Sequence, residues 1–450
     1  MLKSVGKLIK WVAVVVGCAV ILYLLLLVPR YEKYRKSNVS YNLDLPSLTA
    51  FAYPNAYVAG DSLKLFVHAE EDYTGRVYRV GDNGFEVLHE FSGERNLQRE
   101  TYDLKYGHDW NLSHAISTDN WEGGFYIVQL TSGERERASY SVPILLRHPV
   151  GEKILVVAPT NTWQAYNQYG GKSNYRDDVT PGDLRALFDL LEKGAPGLVP
   201  FNYLPTKRPL NHPFAFAPVT DSLSVLNGKI TSDLYLIDYL EELGVDYGVI
   251  SDTEFAKLAD GEPPKLVIFD NHSEYWSYEG MGRLKNLLEN GTNVAFLSGN
   301  NMYREVEVTD QGSLVVLEQQ TPRDAVEPLL GTYYSESGYQ TYGSFRVTEA
   351  DSWVFDSTGL QNGDTFGAGV ISGLETDKLG PYSEGFTLLA IGTNEAGSAH
   401  MVIKDFPRGN FLFNASSISS VRAIPGDSAW RRVILNLIER GRNDQKRGSF

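Results

Sequence analysis

The sequence contains a single cysteine, Cys18, among its 450 residues. One cysteine cannot form a disulfide within the chain, and Cys18 lies inside an apolar N-terminal run. The remainder of the chain therefore has no thiol that could act as a nucleophile or as a thiolate metal ligand. Thiol catalysis and cysteine-based metal sites are excluded for the folded body.

Positive charge is also scarce. The chain has 41 Lys and Arg against 56 Asp and Glu, which gives a formal net charge of -15. Nucleic-acid binding depends on basic side chains that neutralise phosphates, and no strongly basic stripe is present. We therefore expect no nucleic-acid partner. Internal repeats and long low-complexity tracts are absent as well, and the length suggests two folded units plus an appendage.

Only one long apolar run occurs, at residues 11–28. It predicts a transmembrane anchor over 8–29, followed by a polar stalk over 30–45. Three lysines precede the run and four basic residues follow it, a count that slightly favours a cytoplasmic body. A short anchor with a basic start more often exports the rest of the chain. We expect a single-pass protein of the cell membrane whose body lies outside the cytoplasm.

Residues 46–149 show short alternating runs that are interrupted by Gly, Asn and Asp. The clearest runs lie at 62–69, 76–80, 124–130 and 139–146. Several short strands at this spacing are typical of an antiparallel sandwich of immunoglobulin type. We expect an immunoglobulin-like β-sandwich here.

The pattern changes over residues 150–445. Apolar strand-like runs at 153–158, 247–250, 265–269 and 293–297 are separated by segments of helical period. Such alternation predicts an α/β domain with a mostly parallel sheet that is covered on both faces. The glycine-rich region from 305 to 400 has no clear place in this scheme. The fold class expected for the body is α/β.

Polar side chains follow the predicted strands, where ligands bind in open α/β sheets. His272 and Glu274 come just after the run 266–269, and Tyr166 lies in the loop after the first strand. Imidazole and carboxylate together offer a proton carrier and an oxygen ligand. Because parallel strands end at the same edge, Tyr166 and Glu274 are expected to converge. The alternative is that Glu274 supports the helix start, that His272 is a turn residue with satisfied hydrogen bonds, and that Tyr166 only packs.

Two further loops supply candidate groups. Residues 298–303 carry the adjacent amides Asn300 and Asn301, and residues 373–377 carry Glu375. The amides could instead satisfy loop backbone groups, and Glu375 could belong to a surface turn.

Five segments carry a family resemblance: WQAYNQYGGKSNY, HSEYW, LSGNNMY, GLETD and NFLFNASS. They resemble the large (catalytic) subunit of N,N-dimethylformamidase and its relatives. The resemblance covers nearly all of the chain after the anchor. It implies a class I glutamine-amidotransferase-like α/β domain without the usual cysteine, a mononuclear ferric iron held by two tyrosines and a glutamate, and hydrolysis of a small formamide.

Carried onto this sequence, the resemblance implies Tyr166 and Glu274 as metal ligands, His272 as the proton carrier and Glu375 as the acid. Asn301 completes the expected catalytic set. Phenolate and carboxylate are hard oxygen donors that suit ferric iron, and an open position on the metal would polarise an amide carbonyl and acidify a bound water.

The second tyrosine ligand is where the chain departs from the family. An Arg-Pro-Tyr segment is expected, but the chain reads Lys207-Arg208-Pro209-Leu210. Leucine cannot bind a metal. Tyr203 is the nearest substitute and is taken as the third ligand; the alternatives are Tyr169 or loss of the metal.

Two functions follow from these observations. The first is a membrane-anchored amidohydrolase that uses a metal to hydrolyse the C–N bond of a small amide. The second is a non-catalytic binding or scaffold protein of the same fold that has lost the metal. A homo-oligomer or a small accessory subunit is also expected from the resemblance.

Overall fold

A computed structural model describes residues 10–12, 14–18, 20–21, 40–42, 45–81, 84–103, 105–133, 138–148, 153–167, 169–171, 173–174, 202–210, 232–258, 263–335 and 341–442. Statements about the structure refer to these residues. Most of the segments predicted as anchor and stalk lie outside them.

The first part of the chain folds almost entirely into strands. These are β1 (Ser40–Asn42), β2 (Leu48–Ala52), β3 (Ala56–Val58), β4 (Ser62–Ala69), β5 (Tyr73–Gly81), β6 (Gly84–Gly93), β7 (Thr101–Asp103), β8 (Gly107–His108), β9 (His114–Ser117), β10 (Gly124–Ser132) and β11 (Ala138–Arg147).

Two of the sheets formed by these strands pack face to face. One has the order β3-β11-β10-β5-β6 and the other has the order β2-β4-β9. Alternate side chains of both sheets, including Leu65, Val77 and Val128, meet in one buried cluster. The opposite face of the five-stranded sheet is also covered, because Phe125 and Ile127 of β10 pack into the core of the second part. This cover on both faces explains why every residue of β10 except Gln129 is buried.

Within the residues that the structure describes, the second part of the chain contains the remaining strands and six α-helices. The strands are β12 (Ile154–Ala158), β13 (Tyr203–Leu204), β14 (Gly248–Ser251), β15 (Leu266–Asn271), β16 (Tyr275–Trp276), β17 (Asn293–Ser298), β18 (Arg304–Val308), β19 (Leu314–Gln320), β20 (Tyr333–Ser335), β21 (Tyr342–Gly343), β22 (Phe345–Val347), β23 (Thr365–Phe366), β24 (Ser372–Gly373), β25 (Thr376–Lys378), β26 (Thr387–Gly392), β27 (His400–Asp405) and β28 (Phe411–Asn414). The helices are α1 (Thr160–Tyr166), α2 (Leu234–Glu242), α3 (Asp252–Ala256), α4 (Tyr278–Glu289), α5 (Arg323–Leu330) and α6 (Ser428–Arg442), with short 3₁₀ helices at Tyr169–Gly171, Trp353–Phe355 and Ile418–Ala423.

A nine-stranded sheet organises this second part, in the order β14-β12-β15-β17-β28-β27-β26-β22-β23. The first five strands pair in parallel, and the pairs from β28 to β23 are antiparallel. Alternate residues of β15 point to opposite faces: Ile268 joins the core beneath α2 and α6, whereas Phe269 joins the core beneath α4 and α5. A four-stranded sheet, β13-β19-β18-β16, lies beside α1.

The expected α/β class with a mostly parallel sheet is wrong. Strand accounts for 39% of the structure and helix for 23%, so the protein is β-rich with mixed sheets. The error arises from residues 305–400, which contribute the antiparallel strands β22, β23 and β26 to the main sheet. Antiparallel extension of a parallel sheet depends on pairing between distant segments, and the local pattern does not show it.

The predicted transmembrane anchor is also wrong, and with it the predicted location as a single-pass membrane protein. No helix in the described part of the chain is both long enough and apolar enough to cross a membrane.

The carboxyl ends of the parallel strands lie together at one edge of the main sheet. The chain leaves β12 into α1, leaves β15 into the segment 272–274, leaves β17 into the loop 299–303 and leaves β28 into the 3₁₀ helix Ile418–Ala423. Because the strands are parallel and adjacent, these four exits lie at the same edge of the sheet.

Candidate functional site

His272 and two glutamates meet at this edge. Nε2 of His272 lies 3.3 Å from Oε2 of Glu274 and 3.3 Å from Oε2 of Glu375. His272 is fully buried, and Glu274 and Glu375 are 2% and 8% exposed. The contacts of Nε2 with the two carboxylates do not have hydrogen-bond geometry, and Nδ1 has no hydrogen-bond partner among the described residues. A buried ring nitrogen without a partner, next to two carboxylates, leaves a position that a ligand could fill.

The charges around His272 decide its protonation. Burial lowers the pKa of His272, but the two carboxylates favour the imidazolium more strongly and raise the pKa to about 9. In this arrangement His272 is a positively charged imidazolium, protonated on both ring nitrogens, at neutral pH. The three side chains therefore form a proton-holding group in a nearly dry environment.

Tyr166 reaches the same group from α1. Its hydroxyl donates a hydrogen bond to Oε2 of Glu274 over 3.2 Å, and its ring lies 5.5 Å from the imidazole of His272. The helix is docked on the segment after β15 by two further bonds: the Glu274 amide donates to the hydroxyl of Thr162, and the side-chain amide of Asn161 donates to the carbonyl of Tyr275. A phenol and a carboxylate thus share one buried position.

Asn300, rather than Asn301, is the amide that contacts the reactive group. Nδ2 of Asn300 donates to Oε2 of Glu375 over 2.7 Å. Asn301 instead donates to Asp377 over 3.0 Å and accepts from Ser298 over 2.5 Å. The sequence shows two adjacent amides but does not show which one turns inward. Asn300 adopts a φ of 51°, a left-handed conformation that asparagine tolerates better than most residues.

Asp377 is a buried residue that the sequence reasoning did not assign to the site. Its carboxylate accepts hydrogen bonds from the backbone amides of Asn300 and Asn301 over 2.8 and 3.3 Å. Burial raises the pKa of Asp377 to about 7, although these donors lower it. The segment that carries Glu375 and Asp377 is thereby fixed to the loop after β17. The expectation of a surface turn there does not fit, because both carboxylates are buried.

Tyr203 lies apart from this group. It is on β13, where its ring faces the ammonium of Lys105 at 4.7 Å. The next residue, Leu204, packs into the cluster that also contains Ala165 and Tyr166. Since successive residues of a strand point to opposite faces, Tyr203 is directed away from Tyr166. The structure brings together Tyr166, His272, Glu274 and Glu375, with Asn301 nearby, and does not bring Tyr203 to them.

Tyr169, the other substitute considered for the second tyrosine, is committed elsewhere. Its hydroxyl lies 2.9 Å from Nε2 of His108, while Nδ1 of His108 lies 3.1 Å from the carbonyl of Thr101. A carbonyl can only accept, so Nδ1 carries the proton and Nε2 accepts from the phenol. Burial lowers the pKa of His108 to about 4, which keeps this ring neutral. The Tyr169 phenol is therefore a protonated donor to His108.

Leu210 occupies the position where a tyrosine was expected. Its side chain packs against the main core, and its carbonyl accepts a hydrogen bond from the hydroxyl of Tyr140 over 2.6 Å. The preceding Pro209 carbonyl accepts from Asn167, just after Tyr166. The segment 208–210 thus runs beside the end of α1 but presents an apolar side chain.

A cavity of about 600 Å³ lies on another side of α1. Asn161, Gln164 and Arg208 are among the residues that line it, together with parts of β2 and β11. Tyr166, His272, Glu274 and Glu375 do not line this cavity. It is therefore separate from the group formed at the edge of the sheet.

The fold and this acid–base group can be compared with known proteins. A family model described as "N,N-dimethylformamidase beta subunit-like, C-terminal" matches residues 74–429. The chain belongs to this family and is related in this way to an amide-hydrolysing enzyme.

Other comparisons add little. No curated protein matches the chain. Among solved structures, the chain is similar to a cycloisomaltooligosaccharide glucanotransferase of Paenibacillus sp. complexed with cycloisomaltoheptaose, with 10% identity and a TM-score of 0.19. That match covers 67% of this chain and 62% of the other, so less than two thirds of the other protein is covered. At this TM-score the likeness does not bear on fold or function.

Proposed function

We propose that the protein hydrolyses the C–N bond of a small amide at the site formed by Tyr166, His272, Glu274 and Glu375. The observation that carries the proposal is the position of His272 Nε2, 3.3 Å from two buried carboxylates, one of which also accepts from Tyr166. Family membership supports the same reaction class. The near-complete burial of His272, Glu274 and Glu375 favours a small substrate.

Amide hydrolysis needs two proton movements. The oxygen of water attacks the carbonyl carbon and loses a proton, and the departing nitrogen gains one as the C–N bond breaks, which yields a carboxylic acid and an amine. His272 and Glu375 are close enough to pass a single proton between them. We assign both proton movements to this pair. Asn300 holds the Glu375 carboxylate towards the imidazole.

A ferric iron at this site is part of the proposal. Its donor chemistry fits at two positions, because Tyr166 and Glu274 place a phenol and a carboxylate 3.2 Å apart. The buried Nδ1 of His272 has no hydrogen-bond partner in the described part of the chain, which supports a ligand at this group. In the described part of the chain, no set of three or more His, Cys, Asp or Glu side chains could hold a metal ion. Tyrosine is a further donor type, and the ligands we assign are Tyr166 and Glu274.

When bound there, ferric iron would polarise the amide carbonyl and acidify a water. Leu210 removes one protein ligand from the set that the family resemblance implies. We therefore expect weaker iron binding than in relatives that keep the second tyrosine. The glutamine-amidotransferase-like character of the domain, and assembly as a homo-oligomer or with a small accessory subunit, are further parts of the proposal.

The test combines turnover with metal analysis of the purified full chain. Release of dimethylamine and formate from N,N-dimethylformamide, and of amine from other small amides, measures the reaction. We expect His272→Gln and Glu375→Gln to abolish turnover, and Glu279→Gln, an exposed position on α4, to leave it unchanged. Size-exclusion chromatography with light scattering reports the oligomeric state in the same preparation.

Iron is measured separately, by elemental analysis and by the visible absorbance of an iron–phenolate complex. Tyr166→Phe should remove both signals, and Tyr278→Phe, whose ring is 74% exposed, should remove neither. A wild-type protein that binds no iron and turns over no amide would favour the alternative, a non-catalytic binding protein of the same fold. The observation that favours this alternative is Leu210, which stands where the family resemblance implies a tyrosine.

A further inference from the structure

Asp233 is a buried carboxylate that the proposed chemistry does not use. It is 1% exposed and directly precedes α2, but its side chain makes no capping hydrogen bond to that helix. An aspartate at this position usually accepts from the first turn of the helix. The Asp233 carboxylate is instead turned towards the edge of the main sheet.

Each oxygen of Asp233 accepts one hydrogen bond from a different segment, one from α1 and one from the end of β15. These two segments are called the arms of the site. The indole Nε1 of Trp163 donates to Oδ2 over 2.8 Å, and Nδ2 of Asn271 donates to Oδ1 over 2.7 Å. Trp163 lies about one turn before Tyr166 on α1, and Asn271 immediately precedes His272. One carboxylate therefore joins the helix that carries the phenol to the segment that carries the imidazole.

The bond to Asn271 supports an unfavourable backbone conformation. Asn271 has a φ of 50°, in the left-handed region that costs an L-residue about 1 kcal/mol. This turn ends β15 and directs the chain into His272 and Glu274. A side-chain bond to a fixed carboxylate holds the turn in place, so the direction in which His272 leaves the strand depends on Asp233.

The pKa of Asp233 depends on its burial and on the residues that it contacts. Burial raises the pKa of Asp233 to about 8, while the donors Asn271 and Trp163 and the positive charge of His272 lower it. Burial, together with the negative charge of Asp233, raises the pKa of Asp270 well above its usual value. The two donors that join the segments therefore oppose the effect of burial on the pKa of Asp233 without cancelling it.

We propose that Asp233 is a positioning residue that sets the placement of Tyr166 relative to His272 by holding Trp163 and Asn271 on one carboxylate. The inference rests on the proposed function for its catalytic consequence. Its structural consequence, the contact between the Tyr166 and His272 rings, can be measured whether or not the protein turns over an amide.

The decisive variants exchange the two polar groups. In Asp233→Asn the new amide has one acceptor oxygen for two donors. Its own NH₂ group then faces the N–H of either Trp163 or Asn271, and that hydrogen bond is lost. In Asn271→Asp two carboxylates face each other. The double variant Asp233→Asn/Asn271→Asp restores both bonds, since the new amide donates to the new carboxylate and still accepts from Trp163. Asp238→Asn, an exposed position on α2, is the matched control.

Two activity-independent signals are followed by NMR in the full chain with labelled Trp, Tyr and His. The indole proton of Trp163, assigned with Trp163→Phe, reports the bond to Asp233. The nuclear Overhauser effect between the Tyr166 and His272 rings, assigned with His272→Gln, reports their contact. We expect Asp233→Asn to shift the first signal and lose the second, the double variant to regain both, and Asp238→Asn to match the wild type.

Where the wild type turns over an amide, kcat should fall at least about tenfold in Asp233→Asn with KM within twofold, and the double variant should recover most of the loss. A folded Asp233→Asn that keeps the ring contact would overturn the proposal. So would a double variant that regains thermal stability without regaining the ring contact, because Asp233 would then be only a structural residue. If Asp233→Asn does not fold, the double variant decides alone. A wild type with the ring contact but no turnover would refute the proposed function and leave the positioning role intact.

Discussion

Asn300 holds Glu375 from the loop after β17, with 2.7 Å between Nδ2 of the amide and Oε2 of the carboxylate. The same oxygen lies 3.3 Å from His272. The amide therefore determines how Glu375 faces the imidazole. Its own conformation is left-handed, with φ of 51°, which means that a substitution can perturb the backbone as well as the contact.

Replacing Asn300 with glycine separates the contact from the backbone. Glycine adopts the left-handed conformation without strain, so Asn300→Gly removes only the donor to Glu375. We expect kcat to fall by about 100-fold, the usual effect of losing one oriented donor, with the thermal unfolding midpoint within a few degrees of wild type. Asn120→Gly, an exposed asparagine with φ of 65°, is the control and should leave both values unchanged. Equal activity in Asn300→Gly and wild type would show that the amide has no part in the reaction.

Two tyrosines close together in sequence should respond differently to removal of their hydroxyl groups. Tyr166 contacts Glu274, whereas Tyr169 donates to His108. We expect Tyr166→Phe to lose bound iron without a large change in stability. Tyr169→Phe should keep its iron but lose about 1 to 2 kcal/mol of stability, because Nε2 of His108 is left buried without a donor.

Iron content per chain and urea unfolding measure these two effects on the same samples. Loss of iron in Tyr169→Phe, with stability unchanged, would reassign the phenol ligand to Tyr169. Such a result would also show that the hydrogen bond to His108 is not maintained when metal is present.

The approximate position of the site follows from the sequence because it depends on a local rule. Apolar runs followed by polar residues mark strand ends, and the ends of parallel strands share an edge. That rule is enough to expect Tyr166 near Glu274, and the two side chains lie 3.2 Å apart. Their chemical roles stay predictions, since geometry alone does not show which proton moves or whether iron binds.

Features that depend on distant pairing could not be predicted. The antiparallel strands β26 and β27 extend the main sheet, yet their short segments carry no local signal that identifies a partner. Glu375 lies in a segment with turn-like composition, and it is buried through contacts with distant residues such as His272 and Asn300. Asp233 directly precedes α2, but its carboxylate accepts from residues 70 and 38 positions away.

Gly299 is fixed by the close approach of another backbone. A Cβ at this position would lie 2.5 Å from the amide nitrogen of Ile418 and 2.7 Å from Cα of Ser417. These are backbone atoms that cannot rotate away, so Gly299→Ala must displace the loop that carries Asn300. We expect a loss of about 1 to 3 kcal/mol in the free energy of unfolding, together with loss of turnover.

Gly282 is the control for Gly299, because alanine at this position would meet no neighbouring atom. It lies within α4, and a Cβ there would meet nothing within 4 Å. Gly282→Ala should stabilise the protein by about 0.5 to 1 kcal/mol, because alanine loses less backbone freedom in a helix. Chemical denaturation of both variants measures the two effects. Comparable stability changes of the same sign would contradict the assigned backbone contact at Gly299.

Asp252 directly follows β14 and binds the first residues of α1. Its carboxylate accepts from the Thr160 hydroxyl over 2.6 Å and from the Asn161 amide over 3.0 Å. The seven-residue helix has no cap from its own side chains, so Asp252 takes that place. Burial raises the pKa of Asp252 to about 7, even though these donors lower it.

This raised pKa makes stability depend on pH in a defined direction. The folded protein keeps the Asp252 proton up to about pH 7, whereas the unfolded chain releases it near pH 4. Over that interval the folded state binds more protons, so the contribution of Asp252 falls as pH rises and is constant above about pH 7. The loss amounts to at most about 4 kcal/mol. An amide cannot ionise, so Asp252→Asn should lose less stability than the wild type between pH 5 and pH 8.

Urea unfolding of both proteins at these two pH values gives the difference that belongs to Asp252, since the other buried carboxylates are common to both. Asp351→Asn, at an exposed position, should follow the wild-type pH dependence and serves as the control. The same pH dependence in Asp252→Asn and wild type would mean that Asp252 is already ionised in the folded protein at pH 5. The start of α1, and with it the helix that carries Tyr166, would then be held by a permanent charge and would be insensitive to pH.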